Sequence, residues 1–223
     1  MKLKSVVFDM DGTLVDSLGF NDRMWEYMNS EYIGQENFRL DAEVDKNTRT
    51  MIFSQALLYV KDYYGIDASD EEFLDFFARK LEYFYKYEAT VKKGAVEILE
   101  DLKSKGIKLC LASATDKKYV LTALKSAGLY DYFDFVISCS EVGSGKECPD
   151  VYFKALELLG SSVEDTCVVE DAYVALETAK SIGLKTVGVF DNDNVAFQDR
   201  VKASSDIYLG EGHSLEELIN IIE

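Results

Sequence analysis

The stretch Ser5-Val6-Val7-Phe8-Asp9-Met10-Asp11-Gly12-Thr13 runs an apolar start straight into two aspartates and a glycine. A short apolar run bounded by turn residues has the length of a buried strand. Taken alone, Asp9–Thr13 is an Asx-rich turn, in which aspartates bond their own backbone. Its neighbours in the chain decide whether it is more than that.

Downstream, short apolar runs alternate with amphipathic stretches. Strands are expected at Ile107–Ala112, Phe135–Ile137, Cys167–Val169, Thr186–Val189 and Ile207–Leu209. Between them, Val120/Leu124/Ala127, Val151/Ala155/Leu158/Leu159 and Ala172/Ala175/Leu176/Ala179 recur at helical spacing. Gly106, Gly128, Gly160 and Gly183 each close a helical stretch, and Ser214 with Glu217 reads as a capping box opening a final helix. This order predicts an α/β fold: a doubly wound, mostly parallel, Rossmann-like sheet with right-handed crossovers. Ligands of such sheets bind beyond the carboxyl ends of the strands, at a switch in strand order.

Residues 16–90 break the alternation. Phe20, Met24, Tyr27 and Met28 share one helical face, Phe53, Ala56, Leu57, Val60 and Tyr64 a second, and Phe73, Phe76, Phe77, Leu81 and Phe84 a third; Ser69 and Glu72 form a further capping box. An all-helical insert is expected there, its aromatic stripes serving as packing. The expected organisation is core over 1–15, helical insert over 16–90, and core again over 91–223. An insert leaving directly after the first strand belongs above that strand's carboxyl end.

The strand ends gather the reactive groups. Asp9 and Asp11 follow the first strand, and Ser113 follows Leu109–Ala112. Lys146 lies in the loop Gly143-Ser144-Gly145 after the Phe135–Ile137 strand, and Glu170 and Asp171 follow Val169. Two carboxylates ~5 Å apart repel by about 3 kcal/mol at an effective dielectric of ~20, so a cluster of four calls for a divalent cation. All-oxygen donors favour magnesium, which keeps water ligands and recruits phosphate oxygens. Ser113 and Lys146 add a donor and a cation, completing a clamp for a phosphoryl group.

In order, Asp9–Thr13 (DMDGT), the strand-end Ser113, Lys146 in Gly-Lys-x-x-Pro-Asp, and the acidic pair Glu170-Asp171 resemble the four motifs of the haloacid dehalogenase-like hydrolases. The branch resembled is that of the phosphatases and β-phosphoglucomutases with a helical cap, and the likeness spans essentially the whole chain. It implies that Asp9 is a nucleophile forming an aspartyl-phosphate. Asp11 then serves as general acid and base. It implies Thr13, Ser113, Ala114 and Lys146 as the groups around the substrate phosphate, Thr13 also supporting the Asp11 loop. Magnesium falls to Asp9, the Asp11 carbonyl, Asp171, and Glu170 directly or through water.

Several positions depart from the family pattern. Glu147 replaces the proline after the lysine, Ala172 and Ala175 replace serine and glycine after the acidic pair, and Lys93-Gly94 replaces Pro-Gly. Pro149, the one proline, is kept at the expected start of a helix. Leu111-Ala112-Ser113-Ala114 favours the mutase alternative. Asn21 at the early-insert histidine position, and Asp45–Thr50 with Lys46 and Arg49 but no glycine, favour hydrolysis. A phosphorylated receiver module is the reading from another class. It lacks a helical insert and needs an aspartate after a middle strand, where this chain has Phe135-Val136-Ile137-Ser138. A silent phosphate-binding relative is disfavoured by the full motif set. Gly143–Lys146 is not a P-loop, since Ser140 and Glu147 occupy required glycine and hydroxyl positions. His213, the single histidine, excludes histidine-rich zinc sites.

Composition bounds the rest. The 223 residues suffice for a large α/β core, which at this size buries roughly 70–75% of the unfolded surface without disulfide or structural metal. A formal charge of −17 argues against nucleic acid and anionic membranes as partners. Cys110, Cys139, Cys148 and Cys167 have no C-x-x-C spacing, so a reduced, cytoplasmic setting is expected. No signal peptide and no membrane span are read from the sequence. The expected partner is a small phosphorylated metabolite, a sugar phosphate among the options, handled by a monomer.

Overall fold

Ser5–Phe8 forms strand β1, buried at every residue, because it lies in the middle of a sheet covered on both faces. The computed structural model describes residues 1–17, 19–48 and 53–223. Val15–Asp16 (β2) and Thr90–Val91 (β3) pair as a small antiparallel ribbon. The remaining strands are β4 (Lys108–Ser113), β5 (Phe135–Ser138), β6 (Thr166–Glu170), β7 (Lys185–Val189) and β8 (Ile207–Leu209). The main sheet has the order β5-β4-β1-β6-β7-β8, and every pairing in it is parallel. The chain builds outward from β1 on one side, then crosses to build on the other. The switch in strand order therefore lies at β1, beside β4 and β6.

The helices carry the expected faces. In chain order they are α1 (Phe20–Met28), α2 (Ala42–Thr48), α3 (Phe53–Tyr63), α4 (Asp70–Tyr87), α5 (Ala95–Ser104), α6 (Lys117–Ser126), α7 (Cys139–Val142), α8 (Asp150–Leu159), α9 (Tyr173–Ser181) and α10 (Gln198–Ser204). In α5, Ala95, Ile98, Leu99 and Leu102 are buried at a 3–4 residue spacing. On one face of the sheet, Val7, Cys110, Ala112, Ile137 and Val168 pack with Val151, Tyr152, Ala155 and Ala179 of α8 and α9. Two polar contacts lie within the core: Ser5 Oγ lies 2.8 Å from Thr166 Oγ1, and Tyr152 donates its hydroxyl to Ala175 O at 3.2 Å. Burial pushes the free thiols of Cys110 and Cys167 up to about 12, as befits small hydrophobes within strands.

The chain divides into two compact units, Met1–Ser17 with Ala89–Glu223, and Leu18–Glu88. Within the second, Met24, Met28, Ala56, Leu57, Val60, Phe73, Phe77, Leu81 and Phe84 are buried. Rings pack face to edge or tilted, as with Phe20 on Phe84 at 4.9 Å and Phe73 on Phe77 at 4.8 Å. Ser69 and Glu72 make the expected reciprocal cap. Tyr27 and Phe76 sit at the margin of this core instead of inside it. Both offer a ring to the Lys80 ammonium, at 4.5 and 5.3 Å, so partial exposure is compensated by a cation–π contact. A π-helical turn over Asn29–Ile33 extends α1, which spacing alone did not show. The side chains of Asn21 and Lys46, and Arg49 with Thr50, lie outside the described residues. The final helix is a 3₁₀ segment, Leu215–Asn220, entered through Ser214, whose N–H donates to Glu217 Oε1 at 3.2 Å. Among the described residues no helix is long and apolar enough to cross a membrane.

Candidate functional site

The turn after β1 is built on one carbonyl. Met10 O accepts from the N–H groups of Thr13, Leu14 and Val15, and Gly12 N–H donates to Val15 O at 2.9 Å. Gly12 has φ +78°, and a Cβ placed there would lie 2.4 Å from Asp171 Oδ2. Glycine is needed twice over, for the left-handed backbone and for the approach of this turn to the Asp171 carboxylate. Gly12→Ala is therefore expected to cost about 1–3 kcal/mol of stability, read by denaturant unfolding. Because Asp171 must move, turnover should fall at least about tenfold.

Asp9, Glu170 and Asp171 are 6%, 2% and 5% exposed. Each places a carboxylate oxygen within 4.8 Å of the other two. Sheet register explains the meeting: β1 and β6 pair Phe8 with Val169, and Asp9 N–H donates to Val169 O at 3.0 Å. Lys146 reaches in from the loop after α7 and bonds Asp9 Oδ1, with Glu170 Oε2 at 2.7 Å. Burial favours loss of its proton, but the charges of Asp9 and Glu170 prevail and hold Lys146 well above the ordinary lysine range. Burial and then the Asp9 carboxylate raise Glu170 to about 7. Burial, Glu170, Asp9 and Asp191 together raise Asp171 well above its ordinary value.

The other expected residues surround this group. The Asp11 side chain lies outside the three-carboxylate cluster and accepts from Thr115 Oγ1 at 2.8 Å. Thr13, fully buried, points its hydroxyl at Asp171 Oδ1, 3.5 Å away. Ser113 ends β4, its Oγ accepting from Thr115 N–H at 3.0 Å, and Ala114 beside it is exposed. Five contributors were not foreseen: Thr115, Ser138, Asn194, Lys92 and Asp191. Thr115 ties Asp11 to the Ser113 turn, and Ser138 Oγ in turn donates to Thr115 O at 2.8 Å. Asn194 Nδ2 donates to Asp171 Oδ2 at 2.5 Å. Lys92 Nζ donates to Gly12 O, to Phe190 O at 3.1 Å and to Asp191 Oδ2 at 2.6 Å. The strand-end rule that led to Glu170 extends to Asp191 and Asn194, just past β7. Lys92 carries no such signal.

Three buried carboxylates with all-oxygen donors fit a hard divalent cation, whose charge would offset both the burial that raises Glu170 and Asp171 and, next in size, their mutual repulsion. The model of the haloacid dehalogenase-like hydrolases matches residues 3–183. The chain belongs to that family. A phosphorylated carbohydrates phosphatase of Thermotoga maritima is 31% identical over 198 residues, covering 83% of this chain and 84% of that protein. The chloroplastic protein SUPPRESSOR OF QUENCHING 1 of Arabidopsis thaliana is 30% identical over 192 residues, 84% of this chain but 18% of that protein's length. Among solved structures, one of Thermotoga maritima described as a candidate β-phosphoglucomutase superposes with a TM-score of 0.78, at 27% identity and 98% coverage of both chains. This haloacid dehalogenase-like chain is thus an enzyme with phosphatase and phosphomutase relatives, built on a six-stranded parallel Rossmann-like core.

Proposed function

We propose that the protein is a magnesium-dependent phosphatase acting on a small phosphorylated metabolite of the sugar-phosphate class. The observation that carries this reading is the buried cluster of Asp9, Glu170 and Asp171 with Lys146 bonded to the first two. Asp9, Glu170 and Asp171, with the Asp11 carbonyl, would hold the cation. When bound, the ion supplies positive charge that offsets the carboxylates and the substrate phosphate.

The chain's own groups supply the remaining steps. A carboxylate oxygen of Asp9 attacks phosphorus while the bond to the leaving oxygen breaks, and Asp11 gives that oxygen its proton. Water then attacks the aspartyl-phosphate, Asp11 takes the water's proton, and Asp9 is freed as phosphate leaves. Thr115, bonded to Asp11, fixes the acid–base group at its starting position. Lys146, held charged beside Asp9, offsets charge on the transferred group, and Ser113 with the Ala114 amide receives its oxygens. Residues 18–88 we assign to substrate selection, as the cap. The buried free thiols support a reducing, cytoplasmic setting.

The second reading, a phosphomutase, is favoured by the structural likeness at 27% identity. Phosphorus NMR on a panel of phosphorylated metabolites separates the two. Inorganic phosphate from at least one sugar phosphate is expected. A phosphate that moves between hydroxyls of one sugar without release would establish the mutase, and no reaction with any member would contradict both.

A further inference from the structure

The loop beyond β7 and the residue after β3 meet at the back of the acidic cluster. The Asp191 side chain is fully buried, and its Oδ2 accepts from Lys92 Nζ at 2.6 Å. The same ammonium donates to Gly12 O in the nucleophile turn and to Phe190 O at the end of β7. Lys92 N–H donates to Leu14 O at 2.9 Å, so its backbone is anchored to the segment its side chain serves. Asp191 organises the loop: its Oδ1 accepts from Asp193 N–H at 3.0 Å, and its carbonyl accepts from Gln198 Nε2. Asn194, which this loop presents, donates to Asp171 Oδ2 at 2.5 Å. A chain of contacts thus runs from Lys92 to Gly12 on one side, and through Asp191 and Asn194 to Asp171 on the other. Gly12 and Asp171 are themselves in van der Waals contact range, closed to any side chain at position 12.

We propose that Lys92, Asp191 and Asn194 are positioning residues of the phosphoryl-transfer site. Lys92 and Asp191 lock the Gly12 turn to the end of β7, and Asn194 fixes the Asp171 carboxylate in the orientation a cation needs. The inference rests on the metal-dependent reading proposed for Asp9, Glu170 and Asp171. A carboxylate ligand left without its outer hydrogen bond rotates and binds metal more weakly, and such partners typically govern about 10–100-fold in affinity or activity. Lysine suits the place because its three donors match the three oxygens that converge on it.

The test uses the full-length protein and measures cation binding directly, by Mg2+ calorimetry and by Mn2+ titration followed by electron spin resonance, alongside kcat. Asn194→Ala and Lys92→Met are each expected to weaken cation binding about tenfold or more, with Lys92→Arg recovering a part of that loss. Lys154→Met, which removes a cation from an exposed pair with Glu157, serves as the control and should match wild type. Should Lys92→Met fail to fold, Asn194→Ala decides alone, since it leaves the buried ion pair intact. Wild-type cation affinity and kcat, within about twofold, in Asn194→Ala and in folded Lys92→Met would overturn the inference while leaving the metal-dependent reading in place. A tenfold loss in Lys154→Met would also overturn it, by showing a general effect of charge. A wild-type protein that binds neither ion would instead bring down the metal-dependent reading, and this inference with it.

Discussion

Asp9→Asn should release phosphate at least about 10⁴-fold more slowly than wild type, the scale of removing a nucleophile. An amide oxygen cannot become the leaving carboxylate of an acyl phosphate, and an uncharged group is a weaker cation ligand. The fold should survive. Lys146 keeps Glu170 as a charged partner at 2.7 Å, and Glu170 and Asp171 lose a carboxylate neighbour that raises both. Unfolding in metal-free buffer is expected within about 4 °C of wild type, roughly 1 kcal/mol for a chain of this length. A folded variant with more than about a tenth of the wild-type rate would rule out Asp9 as nucleophile.

Metal removal should be nearly as severe. With EDTA, turnover is expected to drop about 10³-fold or more, since a bound cation contributes several kcal/mol of charge stabilisation, and magnesium should restore it. Linkage supplies a second, activity-free readout. The folded value of Glu170, about 7, lies above its ordinary 4.5. The folded metal-free protein therefore binds more protons than the unfolded chain between those values, and loses stability as pH rises through that window. Magnesium at about 100 times its Kd adds about 2.7 kcal/mol, or roughly 5–10 °C for this chain. At a fixed magnesium concentration that gain should grow as pH rises through about 7, where Glu170 gives up its proton. Thermal melts at several pH values check it, and a magnesium response that shrinks with rising pH would contradict the assignment.

The strand-end groups were legible because each follows an apolar run that can hardly be anything but a buried strand. Asp9 after Phe8, Ser113 after Ala112 and Glu170 after Val169 are consequences of alternation plus parallel pairing. Lys146 was legible by motif, although nothing in local propensity brings it to Asp9. The helical faces of the insert were legible too, down to Phe73 and Phe77. What escaped depends on loop paths and side-chain reach. Thr115 bonds Asp11 across a sequence separation of 104 residues, Lys92 bonds Asp191 across 99, and no local pattern encodes either pairing. The closing segment has a capping signature, yet Ile221 and Ile222 turn back on Leu218 carbonyl and the turn tightens to 3₁₀ geometry.

The most direct test of the account is to catch the phosphoryl group on the enzyme. A saturating sugar phosphate identified by the metabolite panel is mixed with enzyme and magnesium, quenched in acid within the first turnover, and digested. The peptide carrying Asp9 is then read by mass spectrometry. The account predicts one phosphoryl group on Asp9, absent when EDTA is present and absent in Asp9→Asn. A phosphoryl group on another residue, or turnover with no phosphorylated enzyme at any quench time, would contradict the claim that Asp9 attacks phosphorus.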